Sequence, residues 1–151
     1  MQLDVIFLDI DGVLNPYKGN DPHAFDLGCV AQFRRILDAR PEVYVVFSTT
    51  WRIGVTFFAL GWLWNKHNLP LKRVIGRTPD IQFDRRGEEI RKWLKDAPRL
   101  GPKHKVRRYA VLDDEVEPIL KNIPGKFVFA CDPARGLTQK TAEQVIQHFS
   151  N

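Results

Sequence analysis

Five short apolar runs, each the length of a strand, alternate along this chain with segments of helical period, and this alternation restricts the fold more than any other feature. Val5-Ile6-Phe7-Leu8, Val43-Tyr44-Val45-Val46-Phe47, Tyr109-Ala110-Val111-Leu112 and Phe127-Val128-Phe129-Ala130 are continuous, as strands covered on both faces require; Leu71 to Ile75 is a weaker third strand. Between them, Val30, Phe33 and Leu37 form one stripe of a helix that ends before Pro41. Gly54 to Lys66 reads as a helix that is apolar nearly all round. Arg86 to Ala97 is amphipathic, with Ile90, Trp93, Leu94 and Ala97 on one face, and a last helix starts near the N-cap Thr138 and carries Ala142, Val145, Ile146 and Phe149. Buried strands separated by helices predict a parallel sheet between two helical layers, an α/β domain covering residues 1–151 without repeats or linkers.

A chain of 151 residues can bury roughly 70% of its unfolded surface, enough for one core without staples. Ten Phe, four Trp and three Tyr exclude a disordered chain. Cys29 and Cys131 form no C-x-x-C pair, so two buried reduced thiols are expected rather than a disulfide framework or a zinc ribbon. Met1-Gln2-Leu3-Asp4 lacks a basic leader, and Ile53 to Trp64 is too short and Gly-interrupted to cross a bilayer; a soluble cytoplasmic protein with no membrane partner is expected. A net charge of +5 permits an anionic partner without naming one.

In open parallel sheets, ligands bind beyond the carboxyl ends of the strands. The residues at those ends are Asp9, Asp11, Gly12 and Asn15; Ser48, Thr49, Thr50, Trp51 and Arg52; Asp113, Asp114 and Glu115; and Asp132 and Arg135. One aspartate in such a place is ordinarily a turn former or helix cap. Asp9, Asp11, Asp113 and Asp114 together are costly unless a cation neutralises them. Oxygen donors select a hard ion, and Mg²⁺ is the usual one where the substrate is a phosphate.

Asp9-Ile10-Asp11-Gly12-Val13-Leu14, directly after an apolar strand, resembles the first motif of the haloacid dehalogenase-like (HAD) phosphohydrolase superfamily. Ser48 resembles the second motif, Arg86 (or Arg85) at a helix start the third, and Asp113-Asp114 the acidic fourth. Ser48-Thr49-Thr50-Trp51-Arg52, Arg86-Gly87-Glu88-Glu89-Ile90 and Gly136-Leu137-Thr138 are similar to a narrower branch, the small HAD domains of RNA-repair multidomain proteins. The resemblance implies a HAD-like Rossmannoid three-layer sandwich with a five-stranded parallel sheet in the order 5-4-1-2-3. It implies that Asp9 is a nucleophile forming an aspartyl-phosphate and that Asp11 is the general acid and base. Ser48 would hold a phosphoryl oxygen, and Arg86 would stabilise charge on the transferring group. Mg²⁺ would sit between Asp9, the main-chain carbonyl of Asp11, and Asp113 or Asp114. Gly12, Thr49, Arg52 and Arg135 complete the expected substrate contacts. The family's third-motif residue is usually Lys; Arg keeps the charge but changes the geometry.

Leu14 to Val43 has room for a loop and one helix, and Gly54 to Arg85 for a helix and a short strand, so no cap domain is expected. An uncapped site favours a bulky phosphorylated substrate, and the branch resemblance tilts this towards a polynucleotide 3′-phosphate end. A mononucleotide or small-molecule phosphatase is the alternative, and a non-catalytic nucleic-acid- or partner-binding module a further one. Dehalogenation is disfavoured because Asp11 is present, and phosphomutase activity by the missing cap. No oligomeric state is specified by these features.

Other features have plainer readings. Arg99, Lys103, His104, Lys105, Arg107 and Arg108 read as a solvated loop at the sheet edge opposite the site. Phe57, Phe58, Trp62 and Trp64 could stack on bases or form a dimer face, but core packing is expected to claim at least half of them. His23, His67, His104 and His148 show no ligand spacing. For Trp51 and Arg52, structural anchoring and substrate contact are both open.

Overall fold

A computed structural model describes residues 2–17, 24–53, 55–81, 85–101 and 104–150. His23, Gly54 and Lys103, named above, lie outside them. The described elements are β1 (Gln2–Leu8), α1 (Leu27–Ala39), β2 (Val43–Phe47), α2 (Val55–Lys66), β3 (Val74–Arg77), α3 (Arg86–Asp96), β4 (Lys105–Asp113), α4 (Glu117–Leu120), β5 (Val128–Ala130) and α5 (Gln139–His148). The strands form one parallel sheet in the order β3-β2-β1-β4-β5, the predicted order read from the other edge.

Two apolar layers enclose the sheet. Ile6 and Leu8 of β1 pack with α1, α2 and α5, whereas Val5 and Phe7 pack with α3 and α4. All four are fully buried, so this strand reads as a continuous apolar run rather than an alternation. Leu8 is in register with both Phe47 and Leu112. The next row of the sheet is therefore Asp9, Ser48 and Asp113, tied by Asp9 N–H to the Leu112 carbonyl and Ser48 N–H to the Leu8 carbonyl, both at 3.0 Å. Hydrophobic register alone brings three distant segments to one edge.

Besides Phe127, which closes a 3-10 turn so that β5 begins at Val128, three expectations need correction. The third strand begins at Val74, because Leu71–Arg73 is a 3-10 turn after Pro70. Arg73 fixes that turn by donating to the carbonyls of Leu37, Arg40 and Val43. Second, Lys105 to Arg108 belong to β4 rather than to a loop. A bulge opposite Leu3 and Asp4 sets both Arg107 and Arg108 against the buried Asp4, at 2.6 and 2.9 Å. Third, α2 buries Leu60, Leu63 and Trp64 but leaves Phe57, Phe58 and Trp62 exposed, so the core claims one of the four named aromatics. No helix among the described residues is long and apolar enough to cross a membrane.

Candidate active site

The loop after β1 is a compact turn. The Ile10 carbonyl accepts from the N–H groups of Val13, Leu14 and Asn15 at 2.9–3.0 Å, and Gly12 N–H donates to the Asn15 carbonyl at 2.8 Å. Gly12 has φ +78°, and a Cβ there would lie 2.4 Å from Asp114 Cγ. Position 12 must therefore be glycine for two reasons, its left-handed backbone and the carboxylate pressed against it. Asp9 and Asp11 flank this turn.

Arg86 comes from the first turn of α3, which presses onto α4 through Gly87: a Cβ at 87 would lie 2.9 Å from the Ile119 carbonyl oxygen. The guanidinium reaches Asp113 Oδ2 at 2.7 Å and Asp9 Oδ2 at 3.2 Å. Arg85 instead faces solvent, 3.8 Å from Glu88. One carboxylate oxygen from each of Asp9, Asp113 and Asp114 lies within 4.8 Å of the others. Burial, then the charge of Asp113, push the Asp9 carboxyl well above its ordinary range despite Arg86. Burial likewise raises Asp113 to about 6, against the pull of Arg86 and of the Glu115 N–H.

Asp11 lies outside this triad. Its Oδ2 accepts from the indole N–H of the buried Trp51 at 3.0 Å. Trp51 sits in a 3-10 turn (Thr50–Arg52) capped by Thr49, whose hydroxyl accepts from Trp51 N–H at 3.2 Å. Ser48 Oγ is fully buried and has no hydrogen-bond partner among the described residues. An orphaned buried hydroxyl at a site is an unused donor. Arg135 lies in the loop after β5, exposed and 3.9 Å from Asp132. The Arg52 side chain is outside the described structure. The sheet thus brings together Asp9, Arg86, Asp113 and Asp114, with Ser48 in the same row, while Arg135 is turned towards a rim acid.

Residues 5–142 match the family model described as the HAD domain in Swiss Army Knife RNA repair proteins. The chain belongs to this family. No curated protein and no solved structure matches it.

Within this HAD domain, the donor set fits a divalent cation. Three clustered carboxylates against one guanidinium leave a formal charge of −2, and oxygen donors suit a hard ion. Burial first, and this crowding after it, raise the Asp9 carboxyl.

Two neighbours of the site carry little sequence signal. Tyr17, exposed at the mouth, has its phenol raised by partial burial and by the adjacent Asp114, to which it hydrogen-bonds. Its main chain is anchored by N–H to the Pro133 carbonyl at 2.8 Å. Trp51 could be suspected from its place in the second loop, but its bond to Asp11 spans 40 residues. Cys29 and Cys131 are buried free thiols, each raised to about 12 chiefly by burial, so neither supplies a thiolate nucleophile.

Proposed function

We propose that this HAD domain is a Mg²⁺-dependent phosphomonoesterase acting through an aspartyl-phosphate on Asp9. The observation that carries the reading is the triangle of Asp9, Arg86 and Asp113, with Asp114 within reach and Asp11 two residues away. In the first step a carboxylate oxygen of Asp9 attacks phosphorus, and the bond from phosphorus to the ester oxygen breaks. Asp11, as the carboxylic acid, gives its proton to that leaving oxygen. In the second step the Asp11 carboxylate takes a proton from water, whose oxygen attacks phosphorus. The bond to Asp9 then breaks, inorganic phosphate leaves, and both aspartates return to their starting forms.

Each neighbour has a defined task. Trp51 holds the Asp11 carboxyl so that one oxygen is occupied and the other is left for the proton. The unpartnered Ser48 hydroxyl donates to a phosphoryl oxygen. Arg86 faces the charge on the transferring group from the Asp9 side. Asp9, Asp113, Asp114 and the Asp11 carbonyl would hold Mg²⁺, which when bound screens the repulsion between an anionic nucleophile and an anionic ester.

A polynucleotide 3′-phosphate end is the substrate this reading favours. The family description places such domains in RNA repair proteins. The described residues between β1 and β2 hold one helix, and those between β2 and α3 hold two 3-10 turns, α2 and β3, so none of them forms a cap over the site. The deciding experiment compares p-nitrophenyl phosphate, a 3′-phosphorylated oligonucleotide and the matching 3′-mononucleotide. Mg²⁺-dependent turnover lost in Asp9→Asn supports the phosphatase. Equal kcat/KM for oligonucleotide and mononucleotide would move the substrate to small esters.

A further inference from the structure

The outer face of α2 is unlike the rest of the surface. From residue 43 to residue 79 the chain contains no Asp or Glu, yet it carries Arg52, Lys66, Lys72, Arg73 and Arg77. Within this acid-free stretch, Phe58 is 78% and Trp62 63% exposed. Four residues apart on a helix, they share one face. Lys66, one turn further, sets its Nζ 5.0 Å from the Trp62 ring centroid. Phe57 lies beneath Arg77, whose guanidinium carbon is 4.2 Å from the ring centroid. Arg77 is in register with Phe47, the residue before Ser48, so the row begins at the sheet edge that carries the acids.

Exposed rings beside Lys66 and Arg77, in a stretch of sequence with no acid of its own, suit a ligand with flat apolar faces and negative charge. Nucleic-acid bases and phosphates supply both. A duplex keeps its base faces stacked and has none to offer Phe58 or Trp62. A second copy docking through this face would set two cation-bearing faces against each other, an unfavourable pairing.

We propose that α2 is a binding shelf for single-stranded nucleic acid: bases stack on Phe58 and Trp62, and phosphates meet Lys66 and Arg77. The strand's phosphorylated end is thereby directed to Asp9. The shelf rests on the phosphatase reading for the direction of the strand but not for binding.

The test is fluorescence anisotropy of the full chain with an unphosphorylated single-stranded oligonucleotide and with its duplex, alongside p-nitrophenyl phosphate hydrolysis. Phe58→Ala and Trp62→Ala should each weaken single-strand binding about 5- to 100-fold and leave hydrolysis unchanged. Trp62→Phe should restore most of the binding. Lys66→Ala should lower the slope of log affinity against log salt by about 0.7. The duplex should bind weakly and without dependence on the rings. Unchanged oligonucleotide binding in both alanine variants overturns the shelf, as does equal ring dependence for duplex, or a wild-type dimer that the variants abolish with no nucleic-acid binding. A protein that binds the strand through these rings but hydrolyses nothing keeps the shelf and removes the phosphatase reading. Hydrolysis without ring-dependent binding does the reverse.

Discussion

Strand β1 carries an aspartate at each end, and the two meet arginines in opposite ratios. Asp4, at the amino end, is a single buried carboxylate held by Arg107 and Arg108. Asp9, just past the carboxyl end, shares one guanidinium with Asp113 and has Asp114 beside it. Burial pushes Asp4 up, but the hydrogen bonds from the two arginines more than offset it and hold the carboxyl below its ordinary range. At Asp9 and Asp113, burial prevails over Arg86 and both carboxyls are raised. The difference separates two uses of the same residue types. A carboxylate with surplus cation is satisfied and serves the fold; carboxylates with too little are left ready for a ligand that brings positive charge.

The largest expected effect lies at the Asp9 end. Asp9→Asn should reduce phosphate-ester turnover to background and eliminate the phospho-enzyme, whereas Asp4→Asn should leave kcat within about twofold, since it touches nothing in the reaction. Comparable losses in both variants would dissolve the contrast. Next, Asp11→Asn should slow hydrolysis of an alkyl phosphate by about 10²–10⁴, and less for p-nitrophenyl phosphate, whose leaving group needs little protonation. Trp51→Phe, which removes one hydrogen bond from Asp11, should cost about tenfold on the alkyl ester and less on p-nitrophenyl phosphate. A loss that is the same on both esters would assign Trp51 to packing alone.

Stability should move in opposite directions at the two ends. A carboxyl whose folded pKa is lowered contributes stability above the ordinary carboxylate range and loses it as pH falls through the folded value. Asp4→Asn should therefore lower Tm by about 5 °C at pH 7, with the difference shrinking below pH 4. A carboxyl whose folded pKa is raised weakens the fold instead. For Asp113 the penalty grows from the ordinary range near 3.8 to about 6 and is complete above that. Metal-free Asp113→Asn should accordingly raise Tm at pH 7 by about 3 °C, and the gain should fade at pH 4. The smallest effect sharpens this point: millimolar Mg²⁺ should raise Tm of the unaltered chain by a few degrees and that of Asp113→Asn by less. Differential scanning fluorimetry reads both.

How much of this was written in the sequence depends on the range of each interaction. Strands β1, β2 and β4 are legible because buried parallel strands are unbroken apolar runs, and the acids that follow them declare the site edge. Arg85 and Arg86 cannot be told apart by sequence position, since neighbours on a helix point about 100° apart and only packing on α4 fixes the phase. Helix α2 is apolar nearly all round, so no periodicity says which side meets the sheet, and its exposed rings emerge only from the fold. Arg107 and Arg108 read as loop because charge suggests solvent; their partner Asp4 is more than a hundred residues away. Tyr17 and Trp51 escaped assignment for the same reason. Their partners, Asp114 and Asp11, are neighbours in space and strangers in sequence.

The pairing of β1 with β4 also bears on the order of synthesis. Residues 2–8 can join residues 43–47 early, but their other edge waits for residues 105–113. Until then a mostly apolar strand presents open backbone donors and acceptors, the form in which nascent chains most readily associate with one another. The closing event delivers Asp113, Asp114, Arg107 and Arg108 together, so the latch at one end and the acid cluster at the other are completed by a single late strand. A chain that has yet to add residues 105–113 therefore has both an open strand edge and an unassembled acid cluster.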